Sequence, residues 1–131
     1  VGNKGSVYQF QPIANMIYEY VQKVDKFKER NTCIDSYFFD FKGEPTAFSQ
    51  ALINKQALFV SKMVSQVVKD KDYSSINLVT HSLGSYVAYK ALDHDQFPIA
   101  RLKNVISLAS PNTYAPQEIT ADLTSSLEEI R

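Results

Sequence analysis

The 131-residue chain has a single cysteine, no tryptophan, two histidines and four glycines. One cysteine, Cys33, excludes an internal disulfide and a cysteine-based metal site. At the head of an apolar run, it is expected to be a buried small hydrophobe. Net charge is zero. No block of one sign is present, so nothing favours a nucleic-acid partner. The lysines near Lys26 and Lys69 fall where helices should end and read as solvated termini. No apolar run approaches the roughly 18 residues that suggest a membrane span. No metal or organic cofactor is implied by any cluster.

What is present is a periodic alternation. "VGNKGS" reads as a glycine-rich loop. Ile13, Met16, Ile17, Tyr20, Val21, Val24 and Phe27 recur at spacings of three and four, which predicts an amphipathic helix with Pro12 in its first turn. "CIDSYFFDF" over 33–41 reads as a strand, followed by a turn at "KGEPT". A second helical pattern starts at Ala51 and runs through Val60, Met63, Val64, Val67 and Val68. Residues 76–80 and 105–108 are brief apolar runs, read as strands buried on both faces. A helix is expected between them over 83–92, and a last weak one over 121–130. This order predicts an α/β fold: a mostly parallel central sheet with helices on both faces. Ligands of such sheets bind beyond the carboxyl ends of the strands. "VGNKGS", Asp40, Ser82 and "SPN" fall on that rim.

"THSLG", Thr80–His81–Ser82–Leu83–Gly84, approximates the G-x-S-x-G turn between a strand and a helix. Such a turn lifts a serine Oγ above the sheet and aims the next amide, here that of Leu83, at a developing oxyanion. Gly84 occupies its expected place, and Thr80 replaces the first glycine. Ser85 is also small. A second oxyanion amide is expected from "VGNKGS", at Asn3 or Lys4. The bland alternative is a polar serine in an ordinary turn. Tyr86 and Lys90, with Ser74 and Ser75 upstream, offer the Ser/Tyr/Lys set of short-chain dehydrogenases. That option lacks a correctly spaced nucleotide loop, so Tyr86 is expected to pack and Lys90 to be solvated. Asp40 either hydrogen-bonds a polyol at the rim or caps a turn.

Four stretches together carry a family resemblance: "GNKGSVYQ", "FFDFKGEPTAF", the helix bearing Leu52, Gln56 and Val60, and "HSLGSYVAYKAL" with "ISLASPN". With these, the chain resembles the alpha/beta-hydrolase domain of the GPI inositol-deacylases, which remove the inositol-linked acyl chain from GPI anchors. The likeness extends to about Asn112. Thr80, Ser85 and Gly43 depart from its usual glycine, glycine and acidic residue. The resemblance implies a serine ester hydrolase with Ser82 as nucleophile. It also implies acylated GPI lipid or GPI-anchored proteins as partners, no cofactor, and an endoplasmic reticulum membrane location with the membrane spans outside these residues. A general lipase or acyltransferase, and a non-catalytic scaffold binding lipid or protein, are the alternatives.

A serine nucleophile needs a histidine held by a carboxylate. His81 adjoins Ser82, so its side chain should point away from the Oγ. His94 stands roughly 18 Å off at about 1.5 Å per helical residue. The family order places the acid and histidine after later strands, and the strand after Ser82 ends near Asn112 rather than an aspartate. Residues 1–131 are therefore expected to be one incomplete hydrolase domain. Isolated, they should be catalytically dead and poorly soluble; full esterase activity from this piece alone would refute that.

Overall fold

The structure, a computed structural model, describes residues 6–30, 32–43 and 49–111. A short 3₁₀ turn at Val7–Gln9 leads into helix α1, Gln11–Lys23, with Pro12 in its first turn. The expected single helix breaks at Val24, which is extended at φ −93° and ψ 115°, and α2 follows over Asp25–Glu29. A β-branched residue tolerates that extended geometry well. The Val24 carbonyl then accepts from the Phe27 amide at 3.0 Å, starting α2. Of the apolar stripe on α1, Val21 is buried, while Met16 and Tyr20 are largely exposed.

Helix α3, Gln50–Lys71, organises the core. Ser49 caps its start by accepting from the Leu52 amide at 3.3 Å, satisfying a donor that the helix cannot. Lys69 and Lys71 lie in its last turn, and Asp72 ends it in the left-handed region. Ile53, Ala57, Val60, Val64 and Val68 form its buried stripe, joined by Val87, Ala91 and Phe97. Each fully buried aliphatic side chain of this kind contributes about 1.5–3 kcal/mol.

Strand β1, Ile76–His81, pairs in parallel with β2, Leu102–Leu108, through helix α4, Gly84–Leu92. The strand–helix–strand crossover agrees with the alternation in the sequence. Ile76 and Leu78, two apart on β1, pack on the core made by α3 and α4, so both helices cover the same face. The opposite face carries a hydrogen bond from Asn104 to Asn77 at 2.6 Å. There Ile106 and Leu108 remain 49% and 37% exposed. The strands are thus covered on one face among the described residues, rather than on both as expected. Their alternation, half-buried against exposed along β2, is that of a sheet with one packed side.

Residues 32–41 are extended but belong to no ladder among the described residues, in contrast to the expected strand. Side chains hold the segment instead. Phe39 and Phe41 pack on the core, and Phe39 meets Phe59 edge-on at 6.1 Å. The Tyr73 hydroxyl donates to the Asp35 carboxylate and contacts the Tyr37 hydroxyl at 2.9 Å. The Asp35 carboxylate, chiefly, pushes the Tyr73 phenol well above its usual range. Cys33 is exposed rather than buried, because this segment enters the core only at its Phe39 end. The weak helix expected over 121–130 lies outside the described residues.

Ser61, fully buried on α3, has a hydroxyl with no hydrogen-bond partner among the described residues. Removing an unpaired buried hydroxyl relieves a penalty of about 1–3 kcal/mol. Ser61→Ala is expected to raise stability by about 1 kcal/mol in denaturant unfolding.

Candidate active site

Ser82 stands between β1 and α4 with φ 54°. Side chains other than glycine enter that left-handed region rarely, at about 1–3 kcal/mol when the surroundings impose it. Here they do. The Ser82 amide donates to the Leu108 carbonyl at 2.9 Å, so pairing with β2 continues one residue past β1. The Ser82 carbonyl accepts from the Ser85 amide at 3.2 Å, and that of Leu83 from the Tyr86 amide at 3.1 Å. Sheet pairing on one side and helix bonding on the other leave a single residue to reverse direction. A helix running through Ser82 would have ruled out a raised hydroxyl; a sharp turn is found.

Leu83 and Tyr86 are 4% and 2% exposed and anchor the start of α4, whereas Ser82 itself is half-buried. The turn therefore roots its neighbours in the core and leaves the serine within reach of solvent. The amides of Leu83 and Gly84 lie at the head of α4, where a helix has no internal acceptors for its N–H groups. Partial positive charge collects there.

The glycine replacements are accounted for by hydrogen bonding. Thr80, 7% exposed, and Ser85, fully buried, face each other across the turn with hydroxyls 2.7 Å apart. Ser85 also bonds the Ser110 hydroxyl. Thr80 reaches the Ser107 hydroxyl at 3.3 Å, which Tyr89 also meets at 3.3 Å. The Tyr86 hydroxyl lies 3.5 Å from the Pro111 carbonyl. Ser107, Ser110 and Tyr89 were not singled out in the sequence. The serines in "ISLASPN" were the available signal, but nothing local tied them to the turn.

The other candidates are distributed as follows. His81 is half-buried at the end of β1. His94 lies beyond the last turn of α4, a helix length from Ser82. Ser74 and Ser75 precede β1 and Tyr86 follows it, so the dehydrogenase set is separated by a strand about 20 Å long at about 3.3 Å per residue. Tyr86 packs as expected, and Lys90 is half-buried. Asp40 accepts from the Lys42 amide at 2.9 Å, capping a turn in which Lys42 and Gly43 have φ 50° and 71°. The carboxylate remains exposed. Asn3, Lys4 and Asn112 lie outside the described residues. No metal-binding cluster occurs among the described residues, and no helix among them is long and apolar enough to cross a membrane.

The described residues define a parallel α/β unit with a left-handed serine where strand meets helix. Family comparison agrees with that class. The chain belongs to the PGAP1-like alpha/beta domain family, whose model matches residues 1–131. It is 27% identical over 143 residues to a GPI inositol-deacylase of Cryptococcus neoformans, covering 99% of this chain and 18% of that protein. A GPI inositol-deacylase of Emericella nidulans is 26% identical over 147 residues, 98% of this chain and 13% of its own length. A putative GPI inositol-deacylase C of Yarrowia lipolytica is 24% identical over 127 residues, with 93% and 15% covered. The chain thus spans less than a fifth of the length of these relatives.

The backbone angle at Ser82 is directly testable. Glycine occupies positive φ without steric conflict. Ser82→Gly should therefore raise unfolding stability by about 1 kcal/mol, and Ser82→Val should lower it by at least as much.

Proposed function

We propose that this chain is the nucleophile-bearing part of a serine ester hydrolase that removes the acyl chain from the inositol of GPI anchors. The observation that carries the proposal is Ser82 at φ 54°, half-buried, at the head of α4. Lys42, Asp72 and Ala109 share that backbone region, but of these four residues Ser82 alone joins a parallel strand directly to the N-terminus of a helix, where unpaired amides can hold an oxyanion. The family and its GPI inositol-deacylase relatives supply the substrate class.

In this mechanism the Ser82 Oγ attacks the acyl carbonyl while its proton passes to a histidine from outside residues 1–131. The Leu83 amide, with that of Asn3 or Lys4, holds the oxyanion. The tetrahedral intermediate collapses, and the inositol oxygen leaves with the proton. Water, deprotonated by the same histidine, then hydrolyses the Ser82 acyl ester and releases the fatty acid. Neither His81, next in sequence to Ser82, nor His94, a helix length away, is assigned as the base. Asp40 is read first as the cap of its turn through the Lys42 amide; an inositol hydroxyl donating to its exposed carboxylate is the second role proposed for it. No cofactor enters the mechanism. By the same family likeness, the whole protein works at the endoplasmic reticulum membrane on GPI lipid or GPI-anchored proteins. Residues 1–131 form one portion of its hydrolase domain.

A fluorophosphonate probe tests the nucleophile in the full-length protein. Labelling should fall at least 100-fold in Ser82→Ala, together with release of fatty acid from acyl-inositol GPI. Equal labelling of both proteins would remove Ser82 from the mechanism and favour a lipid-binding scaffold.

A further inference from the structure

The carboxyl end of β2 and the residues just after it, 106–111, are gripped by the nucleophile turn and the first turns of α4. The contacts come from successive positions along one stretch of chain. The Ser82 amide holds the Leu108 carbonyl at 2.9 Å. Thr80 lies 3.3 Å from the Ser107 hydroxyl and 3.5 Å from the Ile106 carbonyl. Ser85 bonds Ser110, whose hydroxyl also lies 3.4 Å from the Leu108 carbonyl. Tyr86 reaches the Pro111 carbonyl at 3.5 Å. The centre of this set is the Thr80–Ser85 hydroxyl pair at 2.7 Å, in which Ser85 is fully buried.

Small size alone would explain Ser85 if it only let strand and helix approach, and alanine would then serve equally. Two features go beyond size. The Ser85 hydroxyl is shared between Thr80 beneath the turn and Ser110 in the next loop, so it links two segments that are not adjacent in sequence. Ser110 follows Ala109, which itself has φ 46°. The chain thus bends after β2, and because His81 pairs with Leu108 the two left-handed residues Ser82 and Ala109 stand at the same end of the parallel pair. Buried hydroxyls joined in this way polarise one another and resist separation.

We infer that Ser85 is a positioning residue: through its bonds to Thr80 and Ser110 it fixes the loop after β2 against the Ser82 turn. In the proposed hydrolase residues 109–111 border the nucleophile turn at the strand end, so their placement sets the surroundings in which the Ser82 hydroxyl meets the substrate carbonyl. This inference rests on the proposed role of Ser82 for its catalytic consequence, but the clasp itself is independent of it.

The test uses the full-length protein with Ser85→Ala and, at the half-buried loop position, Ser110→Ala. Amide hydrogen exchange is followed over 107–110, with the α3 amides over 53–68 as internal reference. Exchange over 107–110 should rise about tenfold in both variants while α3 stays unchanged. The fluorophosphonate labelling rate of Ser82 should fall about tenfold. Ser110→Thr, which retains a hydroxyl, should keep wild-type values in both measurements. Unchanged loop exchange in both alanine variants overturns the clasp. Faster loop exchange with unchanged labelling overturns the positioning role. Wild type and Ser82→Ala labelling alike overturns the hydrolase proposal and with it the catalytic consequence, while exchange still decides the clasp.

Discussion

The hydrogen bond from the Ser82 amide to the Leu108 carbonyl is the constraint on which the rest of the site depends. It extends the parallel pairing of β1 and β2 one residue beyond the strand. The Ser82 carbonyl is meanwhile committed to the first turn of α4. The backbone must change from strand to helix within one residue, and it does so at φ 54°. That angle is unfavourable for serine by about 1–3 kcal/mol. Burial of Leu83, Tyr86, Val87 and Ala91 directly downstream offsets it, because each large apolar group contributes a comparable amount. Strain at the serine and packing behind it are two sides of one arrangement.

The residues flanking that turn show how a bulkier pair can occupy places where small ones are usual. Thr80 and Ser85 bring two hydroxyls into a buried contact between strand and helix. Left unpaired, each would be destabilising by about 1–3 kcal/mol. Paired with each other at 2.7 Å and with Ser107 and Ser110 beyond, they become part of the junction. The departure from glycine therefore changes how the turn is held without removing its sharpness.

Away from the site the packing is uneven. One sheet face is closed by α3 and α4, and the other leaves Ile106 and Leu108 open. The segment over 32–41 runs extended and is tied by aromatic rings and the Tyr73–Asp35 bond, with no backbone ladder among the described residues. Ser82 needs only β1, β2 and α4 to take its shape.

The sequence by itself determined the helices α3 and α4, the two strands and the position of Ser82 between them. These follow from local signals: apolar spacing of three and four, short β-branched runs, and a small residue two places after the serine. It also offered a turn cap as one of two roles for Asp40, beside the breakers Gly43 and Pro45. It could not show that 32–41 would pair with no strand among the described residues, that Val24 would split the first helix, or that Cys33 would be exposed. Those outcomes depend on which distant side chains arrive nearby. Only the tertiary structure decided the angle at Ser82 and the grouping of Thr80, Ser85, Ser107 and Ser110. The reason is physical: a ladder bond to Leu108 and hydroxyl contacts more than twenty residues apart in sequence exist only once β2 has folded back beside β1.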